Sequence, residues 1–187
     1  MSVKVTLMAV ALLLLAGCGK TTDLPEQAEC QIDSEDAPVW VCIPDGPDGW
    51  LGGLGTASRN PAGDYGFQLR QAQASGRDDI TRQVELKVQN MFKSWQRSTA
   101  QGVPAATFEN DYEGVSRQTA ELSLRGSKVG QSWQAKNGTL YVLMVAPIDQ
   151  AQQGLMSSLQ NREALWQQFQ SQKAQEELKA EFDKEFR

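Results

Sequence analysis

A chain that opens with a lone lysine, an apolar run and then Leu15-Ala16-Gly17-Cys18 commits its first residues to export rather than to folding. The run from Val5 to Leu15 has almost no polar face, so it does not suit a half-buried core helix. At about a dozen residues it also falls short of the roughly twenty needed to cross a bilayer. Two small residues, Ala16 and Gly17, give a peptidase access to the backbone beside Cys18. Lysine, apolar stretch, small residues and cysteine form the layout of a bacterial secretory signal cut before a lipidated thiol. The expected organisation is a signal over 1–17, a lipidated N-terminus and flexible tether over 18–37, and one domain over 38–187. Acyl chains on Cys18, two or three of them, anchor far more firmly than a single chain. Gly19 stands where an aspartate would favour retention in the inner membrane, which points to an outer-membrane anchor with the domain facing the periplasm.

The chain has 187 residues and a formal charge of −5. Loss of the signal removes one charge, Lys4, and leaves 170 residues at −6, since 187 less 17 is 170 and −5 less the one positive charge is −6. That length supports one domain with one core. An acidic chain lacks the clustered Lys and Arg that give phosphate-backbone affinity, so nucleic acid is not an expected partner.

The sequence has no histidine, which excludes Ser-His and Cys-His nucleophiles. With Cys18 acylated, Cys30 and Cys42 remain, eleven residues lying between them. In an oxidising compartment they are expected to form a disulfide, since two thiolates without histidine do not complete a zinc shell. A short closed loop of this kind contributes about 3 kcal/mol on chain-entropy grounds. No cofactor is expected beyond the covalent lipid on Cys18, and no metal.

Other motifs carry bland readings. Gly19-Lys20-Thr21 resembles the end of a phosphate-binding loop, but Leu14 stands where the first glycine belongs. Gly53-x-Gly55 is too short for a dinucleotide fingerprint, because Ser58 occupies the third glycine position. Adjacent Asp78-Asp79 and Glu176-Glu177 point apart on helical stretches and read as solvated faces, not as a facing carboxylate pair. Asn137-Gly138-Thr139 fits a glycosylation sequon, yet a turn explains it in full.

The pattern along the chain predicts an α+β domain: a small antiparallel or mixed sheet with a hairpin, packed by a long central helix and a C-terminal helix. The stretch Gly19 to Asp36 is polar and aperiodic, its second half held by the expected disulfide. Pro38 to Pro44 reads as extended, Asp45 to Gly49 as a turn, and Trp50 to Ala57 as a strand whose glycines admit close packing. Leu69, Ala72, Ile80, Val84, Val88, Met91 and Trp95 make one face of a long helix, with a bend or pause expected at Gly76. Gln101 to Pro104 ends it. Asn110 to Leu124 suits a second helix, with strand alternation at Ala120, Leu122 and Leu124 as the alternative.

Two strand-like runs, Val129 to Ala135 and Leu140 to Ala146, flank the dipeptide Asn137-Gly138, the strongest short hairpin signal, favoured in two-residue turns. The second run is apolar on both faces and suits a central strand covered on both sides. From Asp149 the chain reads as helical to its end, the last turns projecting toward another subunit. Trp95, Trp133 and Trp166 fall on core stripes or a strand. Trp40 and Trp50 flank the turn beside the cysteines and form the expected partner surface.

The order of these elements, from the lipobox through Pro38-Val39-Trp40-Val41, Leu54-Gly55-Thr56-Ala57, a long Ala/Arg/Gln-rich helix, Leu124-Arg125-Gly126-Ser127-Lys128-Val129, Trp133, Asn137-Gly138 and Tyr141-Val142-Leu143, resembles the outer-membrane lipoproteins typified by the twenty-kilodalton surface lipoprotein of Helicobacter. That group includes FlgP-like flagellar lipoproteins. The resemblance spans about residues 38 to 147; the cysteine pair and the stretch Cys42 to Gly49 depart from its pattern. It implies helices against a sheet, no catalytic residues, and self-assembly at the outer membrane, which in flagellar relatives supports the motor. The resulting expectation is a non-enzymatic structural or self-assembling envelope lipoprotein, with the outer membrane and a second copy or an envelope or flagellar protein as partners. The alternative is an adaptor that binds a peptidoglycan or envelope enzyme.

Overall fold

A computed structural model describes residues 29–99 and 105–187. Cys18, the signal over 1–17 and the helix stop at 101–104 lie outside the described residues. The fold is α+β. In chain order the elements are β1 (Gln31–Ile32), β2 (Glu35–Asp36), α1 (Val39–Cys42), β3 (Trp50–Ala57), α2 (Tyr65–Thr99), α3 (Ala105–Ser123), β4 (Lys128–Gln134), β5 (Leu140–Pro147), α4 (Ile148–Gln160), α5 (Glu163–Trp166) with a following 3-10 turn (Gln167–Phe169), and α6 (Gln172–Phe186). Among the described residues no helix is long and apolar enough to cross a membrane.

The main sheet has the order β3-β5-β4, antiparallel throughout, with β1 and β2 forming a separate two-stranded ribbon. As the apolar run predicts, β5 is central. Its Leu140, Val142, Met144 and Ala146 belong to the core shared with α2, while Leu143 and Val145 are buried outside that cluster. On α2 the stripe Ala72, Ile80, Val84, Val88, Met91 and Trp95 is buried as its spacing requires.

Gly76 does not interrupt α2, which runs unbroken from Tyr65 to Thr99. The glycine serves contact instead. A Cβ there would lie 2.5 Å from Met144 Cγ, and a Cβ on Gly53 would lie 2.6 Å from the Gly76 carbonyl oxygen. Helix and sheet approach so closely only because neither backbone carries a side chain at these points, and the burial gained offsets the roughly 1 kcal/mol helix cost of glycine.

Three further expectations are revised. The stretch read as extended holds one helical turn, α1, with Ile43 N–H donating to the Val39 carbonyl at 2.9 Å. The disulfide explains this: an extended 38–42 would reach about 13 Å and carry Cys42 off, whereas one turn returns it toward Cys30. The hairpin turn is a three-residue loop rather than a two-residue one. Ala135 N–H donates to the Thr139 carbonyl at 2.9 Å and Gly138 N–H to the Ala135 carbonyl at 2.8 Å, with Gly138 at φ 87°. That is a type I turn closed by a left-handed glycine, so Asn137 keeps ordinary φ.

The C-terminal turns do not project. Ser171 Oγ accepts from Ala174 N–H at 3.2 Å and starts α6 afresh. Leu178, Phe182 and Phe186 are then buried in the common core, with Lys87 of α2 donating to the Glu185 carbonyl. The Phe182 and Phe186 rings stack at 4.2 Å.

The two edges of the sheet differ. Along β3, α2 reaches around to satisfy backbone groups that face away from β5. Asp79 Oδ2 accepts from Leu54 N–H at 3.1 Å, and Gln83 Nε2 donates to the Gly52 carbonyl at 3.0 Å. Gln83 also donates to Asp79 Oδ2 at 3.0 Å, joining the two into one clamp. Asp79 is thus an edge cap, not part of a solvated helix face. At the far end of the strand buried Gln68 donates to the Ala57 carbonyl at 3.1 Å and the Gly138 carbonyl at 2.8 Å. Nothing among the described residues pairs with the outer side of β4.

Candidate functional site

The second face of the sheet is covered by the chain from Cys30 to Gly49. Cys30 and Cys42 are joined, Cα to Cα 5.8 Å, as the sequence predicts. Cys30 is buried and Cys42 exposed. Within their loop β1 and β2 pair through a two-residue turn in which Asp33 and Ser34 have φ of 50° and 64°, the geometry that twisted hairpins favour. This ribbon grips the turn of the larger hairpin. Asn137 Nδ2 donates to Asp33 Oδ2 at 2.8 Å, and Lys136 N–H donates to Glu35 Oε2 at 2.8 Å. Residues 29–37, read from sequence as the end of the tether, are therefore structured against the domain.

From Pro44 the chain presses onto β3. A Cβ on Gly52 would lie 2.0 Å from the Pro44 carbonyl oxygen, and one on Gly46 would lie 2.4 Å from that of Trp50. The turn closes at Gly49, φ 80°, with Trp50 N–H donating to the Pro47 carbonyl at 2.8 Å and Ile148 N–H to the Gly49 carbonyl at 2.9 Å. These contacts fix Trp50 at the mouth of the sheet.

Trp50 is half-buried and forms the wall between two clefts. One, of 540 Å³, runs toward Gln83, Lys87 and Phe186. The other, of 460 Å³, has a floor of Leu143 and Val145 and a rim of Lys128 and Gln131. Asp45, Gly46 and Pro47 border both. The Lys128 ammonium sits 4.4 Å from the centre of the Trp50 ring, a cation over an aromatic face. An aromatic wall, an apolar floor and a rim of carboxylate, amide and ammonium groups together suit contact with another protein surface.

The sequence-predicted residues divide accordingly. Cys30 and Cys42 meet. Trp40 is half-buried on α1 and lines neither cleft, so Trp50 carries the groove. Cys18 lies outside the described residues. Trp133 packs on Tyr141, ring centres 5.4 Å apart, and Trp95 and Trp166 pack in or against the core. Sequence reasoning missed Lys128, whose partner is two strands away. It also missed Asp79 and Gln83; their spacing of one helical turn was the available signal. Among the described residues no group of three or more His, Cys, Asp or Glu side chains is arranged to hold a metal ion. No family model, no curated protein and no solved structure matches this chain.

Proposed function

We propose that this protein is a lipid-anchored component of the bacterial envelope, held to the outer membrane through Cys18, facing the periplasm and acting as a structural, self-assembling element rather than an enzyme. The observation that carries the reading is the Cys30–Cys42 bridge, which fits an oxidising compartment and so agrees with the export signature ending in Leu15-Ala16-Gly17-Cys18. The order of motifs that resembles surface and flagellar lipoproteins supports the structural part. From Cys18 to Glu29 is eleven residues, which holds the domain within about 40 Å of its anchor. The Trp50 clefts support a second reading, an adaptor that receives an envelope protein there.

The reading is tested by fractionation and by size. Wild-type protein is expected in the outer-membrane fraction and Cys18→Ala in the soluble periplasmic fraction; an unchanged distribution overturns the anchor. Detergent-solubilised lipidated protein is expected to run as an oligomer in light scattering. A monomer across the accessible concentrations overturns self-assembly and leaves the adaptor reading.

A further inference from the structure

We infer that the tip of α1, formed by Val39, Ile43 and Trp40, docks on the surface of the bilayer to which the chain is anchored. This rests on the lipid-anchor reading above and gives the domain an orientation on its membrane.

The one buried residue of α1 is Val41, while Val39 and Ile43 are 47% and 51% exposed. Residues 39 and 43 stand one helical turn apart on one side, and 41 stands opposite. The side turned away from the sheet is thus apolar, where a surface helix ordinarily places polar groups. Trp40 is half-buried beside the pair. Aliphatic prongs flanked by a tryptophan match a membrane-interface contact, in which the indole settles at headgroup level.

The disulfide ties this turn to the anchored end of the chain. Cys42 closes α1 and is bonded to Cys30, Cα to Cα 5.8 Å. The chain leading back to Cys18 therefore leaves the domain one bridge away from the exposed tip, and eleven positions separate Cys18 from Glu29, about 40 Å at most. Acyl chains on Cys18 would hold α1 near the bilayer and make docking an intramolecular step, for which a weak contact suffices.

Charge and size favour a lipid surface as the occupant. From Ala37 to Pro44 no residue is charged, and the charges that flank the stretch, Asp36 and Asp45, are both acidic and exposed. With no cation in this stretch, its contact is with the apolar margin of a zwitterionic bilayer rather than with anionic headgroups. A single helical turn also falls far short of the roughly 800 Å² that each partner contributes to a stable protein interface.

The full lipidated chain in phosphatidylcholine vesicles, plain or with brominated acyl chains, tests this. The difference in emission between wild type and Trp40→Phe isolates the share of Trp40. That share is expected to be lost to bromine quenching in wild type and to survive in a Val39→Gln, Ile43→Gln variant that stays native by circular dichroism. If wild type floats with the vesicles but Trp40 emits equally in plain and brominated lipid, docking is wrong and the anchor stands. If wild type does not float with them, both fall. An unquenched Trp40 with a smaller light-scattering mass for Val39→Gln, Ile43→Gln in detergent overturns bilayer docking in favour of a contact between copies.

Discussion

Gly55 and Ala72 stand closer than any side chain would permit: a Cβ on Gly55 would lie 1.9 Å from the Ala72 carbonyl oxygen. The strand lies against the backbone of α2 at this point, and neither can retreat while the core beneath Met144 stays filled.

Gly55→Ala is therefore expected to cost on the order of 3 kcal/mol or more, as overpacking against a rigid backbone does. That lowers the melting temperature by roughly 10 °C in a domain of this size. Gly66→Ala, in the first turn of the same helix with no contact nearer than 3.3 Å, is expected to leave stability unchanged or raise it. Calorimetry on the pair checks the contrast.

Loss of the bridge in a Cys30→Ser, Cys42→Ser double variant is expected to lower stability by about 3 kcal/mol. It is also expected to speed amide exchange across residues 31–43, including the turn that Asp33 and Glu35 hold at Asn137 and Lys136. Uniform exchange across the domain would show that the bridge acts on the whole fold instead.

Gln68→Leu keeps the volume of a buried side chain and deletes both of its donors, leaving the Ala57 and Gly138 carbonyls without them. The expected cost is about 1 to 3 kcal/mol, read by urea unfolding. Gln83→Ala, on α2 beside the part-buried Gly52 carbonyl of β3, is expected to cost less and to leave that carbonyl to solvent.

Lys128→Met removes the cation from above Trp50 and is expected to cost about 0.5 to 1 kcal/mol. Trp50 fluorescence should shift as the ring's environment changes, measured against a Trp50→Phe reference.

The parts of this fold legible in the sequence are those where one chain segment meets its own periodicity. The stripe on α2, the two-sided apolar run of β5 and the position of the hairpin at Asn137-Gly138 each state their environment within a few residues, while the three-residue length of that turn does not show. What was hidden depends on distant partners. Asp79, which caps a strand, is set apart from Asp78 only by the glutamine one helical turn on, and that spacing does not name the strand it caps. Gly76 looks like a helix defect until Met144 is placed against it. Phe182 and Phe186 read equally well as facing a second subunit, because α2, the surface that buries them, lies some ninety residues earlier; the Lys87 to Glu185 contact spans 98 positions. The helical turn at Val39–Cys42 follows from a covalent bond, which outweighs the extended preference of its β-branched residues. The site was half legible: Trp50 could be singled out as an aromatic beside a turn, but the ammonium over its ring could not.

The bridge has one more consequence, a mechanical one. A pull on the chain ahead of Cys30 passes through the sulfur–sulfur bond straight to Cys42, twelve positions on, and from there to β3. The ribbon of 31–36 and its grip on the Asn137 turn sit outside the path of the load. Tension that would peel a simple hairpin apart is instead delivered to the strand that α2 clamps at Gly52 and Leu54, and the outermost layer is spared from unzipping first.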